Sequence, residues 1–330
     1  MVKISDVASE AGVSSATVSR ALNNKASVNP EYVARVEAAA AKLGYRPNGV
    51  ARNLRRKRSD LLALIISDIG NPFFTAVARG VEDVARRNGY SVLLCNADED
   101  RAKEAVYLGA AEQQQVAGVI LSPNSAATDV SRLRSASIPL VVIDRPLREE
   151  TDAIMVHSRE GARRATEHLI DAGWRRPACI TGPEDAATAR DRLDGYLDAV
   201  RANDLEQLYR CAAFRQRGGL VAAAELLDLE TPPDALFVAN AEMALGVLGE
   251  IKRRKLAVGQ DIGLIMFDDT PWAQFVSPPM SVVAQPAYDI GAQAAEMLMQ
   301  QVMGVAPGQP RRITLSTMLV VRESSRRLAP

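Results

Sequence analysis

The stretch VKISDVASEAGVSSATVSRAL (residues 2–22) decides the fold of the first part of this chain. Ile4 and Val7 recur at helical spacing and give a first helix one apolar face. Gly12 stands where that helix must end and the chain must turn, because glycine tolerates left-handed backbone angles. Ser14 is a good N-cap for a second helix. The stretch therefore predicts a helix-turn-helix.

The second helix of this pattern has an inward and an outward face. Val18 and Leu22 fall on the inward face, so small and polar side chains point outward, and such a helix can enter the major groove of DNA. Arg20 could pair with a guanine through two hydrogen bonds. We expect base-edge contacts from Ser15, Ala16 and Arg20, and phosphate contacts from Ser14, Thr17, Ser19, Asn23 and Tyr45.

A basic segment follows. Residues 45–58 carry six arginines or lysines and no acidic residue. Residues 1–60 hold eleven basic and five acidic residues, whereas the other 270 hold 29 and 35, so the neutral chain has a basic head and an acidic body. A solvated charge run beside a linker would look the same in isolation. Next to a helix-turn-helix, it indicates contact with a phosphate backbone.

A set of motifs in this region points to a known family. The motifs are Asp6-Val7-Ala8, Ala11-Gly12-Val13-Ser14, Thr17-Val18-Ser19-Arg20, Leu43-Gly44-Tyr45, Pro47-Asn48 and Ala51-Arg52-Asn53-Leu54. Together they resemble the DNA-binding head of the lactose-repressor/galactose-repressor (LacI/GalR) family, and the resemblance continues over essentially the whole chain. It implies a sequence-specific transcriptional regulator, typically a repressor of carbohydrate or sugar-acid utilisation genes.

The resemblance also implies a hinge helix at residues 48–56 that forms on operator DNA. Its DNA contacts would come from Asn48, Ala51, Arg52 and Leu54, with Leu54 wedged into a minor-groove step. Two such helices must approach each other, so we expect a symmetric homodimer, held by outer helices of the core, on a near-palindromic operator. Residues 322–330 show no leucine heptads, so a tetramer coil is not expected.

From residue 61 onward, short apolar runs alternate with helical stretches. We predict strands at 61–66, 91–95, 118–121, 140–143, 178–181, 235–239 and 262–267. We predict helices at 73–88, 101–116, 159–172, 188–202, 218–228, 241–254 and 286–303. This βαβ rhythm indicates an α/β fold with two lobes of doubly wound parallel sheet. The resemblance implies a periplasmic-binding-protein-like core whose chain crosses between the lobes near 155–160, 283–287 and 316–319.

These features predict three regions. A helix-turn-helix domain occupies residues 1–47, a hinge helix and linker 48–60, and an effector-binding and dimerisation core 61–330. Within the core, lobe 1 takes about 61–157 and 286–316, and lobe 2 takes about 158–285 and 317–330.

The loops after the strands predict the contents of a cleft between the lobes, because ligands of such sheets lie beyond the carboxyl ends of the strands. The expected effector contacts are Asn71, Phe73, Phe74, Arg145, His157, Thr188, Arg192, Phe214, Asn240 and Asp268. An Asn and an Asp at strand ends can each bond two adjacent sugar hydroxyls. The resemblance implies that Arg192 fixes a polar effector by a forked hydrogen bond.

Several of these residues have an alternative interpretation. Phe73 could start a helix and pack in the core, and Arg145 could form a local ion pair with Asp144. Phe214 could cover a sugar ring or be a core aromatic. His157 could contact the ligand or simply lie at the hinge.

Two departures from the family pattern bear on the effector. Ala241 stands where the family usually has an aspartate, and Val156-His157-Ser158 replaces a common Asp-Asn. Both changes remove a carboxylate while Arg145 and Arg192 add positive charge, which favours an acidic effector such as a sugar acid. Residues 268–273 are similar, more weakly, to repressors of gluconate or ketogluconate use.

Other protein classes fit less well. The sequence contains no phosphate-binding loop, GxGxxG, HExxH or GxSxG motif, and no CxxC or CxxH pair, so neither an enzyme, a cofactor nor a metal site is expected. The three scattered cysteines indicate reduced thiols in a cytoplasm, and no apolar run suggests export or a membrane. A transport-type binding protein, an activator and a purine-responsive regulator of the same fold remain open.

Overall fold

The computed structural model describes residues 2–23, 28–45 and 59–327. The chain divides into two compact units, residues 1–58 and 59–330. The predicted hinge helix falls outside the described residues. So do the predicted DNA contacts of the Asn23 side chain and of Asn48, Ala51, Arg52 and Leu54.

In the described residues of the first unit, 2–23 and 28–45, three helices surround a small apolar core. They are α1 (Ile4–Ala11), α2 (Ser15–Asn23) and α3 (Pro30–Leu43). Gly12, with φ 63°, ends α1, and the Ser14 side chain accepts a hydrogen bond from the Thr17 N–H at 3.1 Å. Val18 is fully buried, as predicted, and the core also includes Ala21 and Val36. The helix-turn-helix is therefore confirmed, and α3 is an element that the sequence interpretation did not predict.

Between residues 59 and 327, the described part of the second unit, twelve strands form two sheets. They are β1 (Leu61–Ile66), β2 (Ser91–Asn96), β3 (Gly118–Leu121), β4 (Leu140–Ile143), β5 (Asp152–Val156), β6 (Pro177–Thr181), β7 (Leu208–Cys211), β8 (Ala235–Val238), β9 (Gly263–Phe267), β10 (Ser281–Ala284), β11 (Arg312–Leu315) and β12 (Met318–Val320). The first sheet has the order β11-β5-β4-β3-β1-β2 and the second has the equivalent order β12-β10-β9-β8-β6-β7. The strands pair in parallel, except that β12 runs antiparallel to β10. The α/β fold with two parallel-sheet lobes is thus confirmed.

The helices of this unit cover both faces of the sheets. They are α4 (Pro72–Arg87), α5 (Arg101–Gln113), α6 (Ser131–Ser135), α7 (Ser158–Asp171), α8 (Ala187–Ala202), α9 (Gln216–Leu227), α10 (Ala241–Arg253) and α11 (Ala287–Val302). Glycines bring three helix pairs into close contact. A Cβ at Gly246 of α10 would lie 1.9 Å from the carbonyl oxygen of Gln216, and Gly195 and Gly291 are similarly tight in the α7–α8 and α4–α11 pairs. Both lobes therefore contain closely packed helix pairs.

The chain passes between the sheets three times. It leaves the first sheet after β5, returns to it with α11, and leaves it again between β11 and β12. The helix α11 packs against α4 and the strands of the first sheet. These passages lie close to the predicted crossings.

Some element predictions were wrong. The helix predicted at 101–116 ends at Gln113, because Gln115 adopts a left-handed φ of 49° before the next strand. The strands β5, β7, β10, β11 and β12 and the short helix α6 were not predicted. In β7 and β11 most side chains are half-buried or exposed, so these strands at the sheet edges lack the apolar run that marks a buried strand.

Candidate effector site and DNA-reading helix

The loops at the carboxyl ends of both sheets line one shared cavity. Both sheets have the doubly wound order in which ligands bind where the strand order reverses. The cavity is lined by Asp68, Asn71, Phe73, Phe74, Glu99, Asp144, Arg145, Thr188, Arg192, Phe214, Asn240, Asp268 and Gln285. Nine of the ten residues predicted from the sequence lie in this wall.

His157 is the tenth, and it does not line the cavity. Its side chain is exposed, and it borders a separate surface depression that also includes Arg159 and Asp191. Its backbone N–H donates to the Leu315 carbonyl at 3.0 Å, between β11 and the start of α7. Of the two interpretations of His157, the structure supports the one at the hinge.

Arg192 is a buried cation of the cavity. Its Nη1 donates to the Ala239 carbonyl at 2.6 Å, and its guanidinium lies 3.9 Å from the centroid of the Phe267 ring. Its Nε is buried and has no hydrogen-bond partner among the described residues. Burial lowers the pKa of this guanidinium from its ordinary value. Thr188, one helical turn earlier on α8, is also buried in the wall.

Two aspartates occupy equivalent positions in the two lobes. Asp144 follows β4 and Asp268 follows β9, and these strands have the same place in their sheets. Both residues have left-handed backbone angles, with φ of 65° and 77°. Such strain is frequent at binding sites. Burial raises the pKa of both carboxyl groups, and the Gln285 side chain donates to Asp268 at 2.5 Å.

Arg145 is already engaged by a carboxylate that the sequence interpretation missed. Its two terminal nitrogens donate to both oxygens of Glu99, at 2.8 and 2.6 Å. Its Nε lies 3.5 Å from Asp144, which is the local pair foreseen as the alternative to a ligand contact. Burial alone would lower the pKa of Arg145, but Glu99 and Asp144 raise it overall.

This pairing changes the charge balance expected from the sequence. The wall contains four carboxylates and two arginines. The premise that the arginines make the cleft positive is therefore wrong, because it left out Asp68, Glu99 and the pairing of Arg145. Asp68 and Glu99 follow strands of the first lobe, and Gln285 lies at a crossing. Their positions after strand ends were the sequence signal by which these three cavity residues could have been predicted.

Aromatic rings close the remaining sides. A Cβ at Gly182 would lie 2.1 Å from the Phe214 ring, which is too close, so the ring needs glycine at position 182. The Arg145 guanidinium lies 5.7 Å from the same ring. Phe73 and Phe74 meet edge to face at 4.9 Å and belong to the core of the first lobe. Phe73 therefore packs in the core and also lines the cavity.

An ion-pair cluster joins the lobes at the rim. Arg215 of the second lobe donates to Asp68 at 2.5 Å and to Asp98 at 2.6 Å, both in the first lobe. Arg101 and Asp185 form a further pair between the lobes at 2.5 Å. The lobes are thus held together around the cavity by ion pairs in which Asp68 is buried and the other partners are exposed.

The outward face of α2 carries the residues predicted to read DNA. Ser14, Ser15, Ala16 and Arg20 are exposed, whereas Thr17 and Ser19 are half-buried. Ser14 and Thr17 also share a hydrogen bond between their hydroxyls at 2.9 Å. Tyr45 is half-buried and packs against the core of the head.

Comparison with known proteins identifies the family. A model of bacterial regulatory proteins, lacI family, matches residues 3–48, and a periplasmic binding protein-like domain matches residues 166–325. The ribose operon repressor of Halalkalibacterium halodurans is 36% identical over 326 residues, which are 99% of this chain and 98% of that protein. The chain belongs to the LacI family.

Further comparisons agree with this LacI-family assignment. The transcriptional repressor CytR of Escherichia coli is 35% identical over 98% of this chain and 96% of its own length. A solved lac repressor dimer, bound to operator and the anti-inducer ONPF, covers 98% of this chain and 99% of its own with a TM-score of 0.87 at 27% identity. This LacI-family chain is a DNA-binding transcriptional regulator with a periplasmic-binding-protein-like core.

Three further observations concern the remaining classes. Within the described residues, no helix is both long and apolar enough to span a lipid bilayer. The same part of the chain contains no group of three or more His, Cys, Asp or Glu side chains that could hold a metal ion. Cys95, Cys179 and Cys211 are free thiols.

Proposed function

We propose that this LacI-family regulator is a repressor of sugar-utilisation genes whose grip on a near-palindromic operator is controlled by a sugar bound between its lobes. The observation that carries this proposal is the cavity, where polar side chains from both lobes converge on one small space. The names of the relatives, ribose operon repressors among them, support a sugar as the effector.

The cavity offers groups suited to hydroxyls. Arg192 supplies donors, the carboxylates of Asp144 and Asp268 accept hydrogen bonds, and an aromatic wall can cover the apolar face of a ring. The buried Nε of Arg192 and Oε1 of Gln285 have no partner among the described residues. Since buried polar atoms are nearly always hydrogen-bonded, these two atoms support a ligand that completes the site.

The sugar would act on DNA binding by linkage. A ligand that contacts both lobes favours one arrangement of them, and the affinity for operator changes by the coupling free energy, typically about 1–3 kcal/mol. DNA would be read by the exposed face of α2 and held by the hinge predicted at residues 48–60. The protein would work in the cytoplasm, where its operator is.

A homodimer completes the proposal. The strands β2 and β7 lie at the same edge of their sheets, and both carry exposed apolar side chains. These are Leu93 and Leu94 on β2 and Tyr209 on β7. The helix α9, next to β7, adds Leu220 and Val221. Exposed apolar edges of this kind are normally covered. A second copy with twofold symmetry would cover them and place two heads on a palindrome.

The test has two parts. Selection from a random DNA pool should enrich a near-palindromic duplex, and a thermal-shift panel of sugars should contain a stabilising ligand that changes the affinity for that duplex. If the protein selects a duplex but no stabilising sugar changes its affinity for that duplex, the proposed control by a sugar is contradicted.

A further inference from the structure

Glu99 reaches the cavity from a strained turn. Asp98 and Glu99 are consecutive non-glycine residues with left-handed φ angles of 60° and 57°, in the loop after β2. This backbone conformation is costly and persists where surrounding contacts hold it. The contacts here are ionic, since Asp98 bonds Arg215 at the rim and Glu99 bonds Arg145 in the wall.

The Glu99 carboxylate occupies both terminal nitrogens of Arg145, while the Arg145 Nε has no hydrogen-bond partner among the described residues. The Arg145 side chain is 5% exposed, and both of its terminal nitrogens donate to Glu99. An unpaired guanidinium at this place would offer a bidentate site for the carboxylate of a ligand. In this wall that site is already filled by the protein's own carboxylate.

The other charged residues of the wall do not replace the positive charge that Glu99 neutralises on Arg145. Arg192 interacts electrostatically with both Asp268 and Asp144, and Asp68 is bonded to Arg215. An incoming anion would therefore face a wall in which carboxylates outnumber the arginines that line it. An uncharged hydroxyl can instead donate to Asp144 or Asp268 and accept from Arg192.

We propose that Glu99 determines the charge class of the effector: by neutralising Arg145, it makes the cleft accept an uncharged sugar and reject the matching sugar acid. This inference rests on the proposed function, in which the cavity binds a sugar. It identifies Glu99 as a specificity residue and reverses the acidic effector expected from the sequence.

The test compares D-ribose with D-ribonate by calorimetry, on the full-length wild type and on Glu99→Gln. The wild type should bind ribonate at least about tenfold more weakly than ribose, because like charges across a binding site cost affinity. In Glu99→Gln, which keeps an amide oxygen near Arg145, this preference should fall by about tenfold or more.

Two variants separate the pairing from a general charge effect. Asp98→Asn removes the same charge from the neighbouring residue but leaves Arg145 paired, so both ligands should respond together and the ratio should stay. Glu99→Asp keeps the negative charge beside Arg145 and should keep the wild-type preference. A ratio that falls equally in Asp98→Asn and Glu99→Gln, or a wild type that prefers ribonate, would overturn the role of Glu99.

A third measurement does not depend on the sugar. Sodium acetate, compared with sodium chloride at equal ionic strength, should raise the thermal midpoint of Glu99→Gln and leave that of the wild type unchanged. If neither ribose nor ribonate binds the wild type, the choice of this sugar fails, and the acetate comparison alone decides about Glu99. Equal responses of the two proteins to acetate would then overturn the inference.

Discussion

Arg215 in the second lobe donates to Asp68 in the first lobe at 2.5 Å, at the rim of the effector cavity. Asp68 itself lines that cavity, and Phe214, next to Arg215 in the chain, covers another side of it. One residue pair therefore connects lobe closure to the wall of the binding site. If a ligand binds in this cavity, we expect such contacts between the lobes to help retain it.

Loss of Arg215 should weaken sugar binding modestly. The Arg215 side chain is 40% exposed, so its pairs with Asp68 and Asp98 are screened, and Arg215→Ala should raise the Kd of the effector by about two- to fivefold. The effect should shrink at high salt. Arg210→Ala is the matched control, because Arg210 pairs with Glu225 inside the same lobe. Calorimetry at two salt concentrations would show equal effects of both variants if the rim pair had no role in closure.

Two glycines of α10 should respond oppositely to the same substitution. A Cβ at Gly246 would lie 1.9 Å from the Gln216 carbonyl oxygen, whereas a Cβ at Gly249 meets nothing within 4 Å. Gly246→Ala should lower the free energy of unfolding by about 1–3 kcal/mol through overpacking. Gly249→Ala should raise it by about 0.5–1 kcal/mol through helix propensity. Urea unfolding of the two variants measures both values, and the same sign in both would refute the close packing of α9 and α10.

Much of the fold could be predicted from the sequence, for a physical reason. Strands such as β1 and β8 are buried on both faces and are therefore continuous apolar runs, and the cleft residues follow from where such strands end. The strand β7 could not be found in this way, because Leu208 is its one buried residue. The third helix of the head was missed although Asn29, Pro30 and Gly44 mark its ends.

The charge pairing in the cleft could not be predicted from the sequence. Arg145 and Glu99 are 46 residues apart, and their contact depends on a left-handed turn at two residues that are not glycine. No local pattern predicts such a pair. Counting arginines without their partners therefore overlooked the carboxylate of Glu99, which pairs with Arg145. His157 is a second example: the sequence predicted its place near a crossing but could not predict the direction of its side chain.

The proposed dimer face can be broken by one charge. Val221 on α9 is 45% exposed beside the edge strand β7. Val221→Asp would place a carboxylate on an apolar face and should raise the dimer Kd by about tenfold or more, as measured by sedimentation. Met318→Asp is the control, because Met318 is also exposed but lies on β12 at the opposite edge of the sheet. If Met318→Asp dissociates the protein and Val221→Asp does not, the dimer face is assigned to the wrong edge.

Asp144 should make the stability of the unliganded protein depend on pH. Burial raises its pKa in the folded state above the unfolded value of about 3.9. Stability from this group is therefore fully present below the unfolded pKa and is lost as pH rises through the folded pKa. Asp144→Asn removes this loss, so its stability relative to wild type should improve from acidic to neutral pH. Unfolding curves over that range test the sign, and a relative stability that falls with rising pH would contradict it.

In the proposed mechanism, a sugar bound at Arg192 controls DNA binding. The most direct measurement is fluorescence anisotropy of a duplex selected by the wild-type protein, titrated with and without the stabilising sugar, for wild type and Arg192→Met. Methionine keeps an apolar chain against Phe267 but removes the donors, so the sugar should bind roughly 10- to 100-fold more weakly. We expect the wild-type affinity for DNA to change with sugar, and Arg192→Met to bind DNA as tightly as sugar-free wild type without responding to the same sugar concentration. An undiminished sugar response in Arg192→Met, or none in the wild type, would contradict this claim.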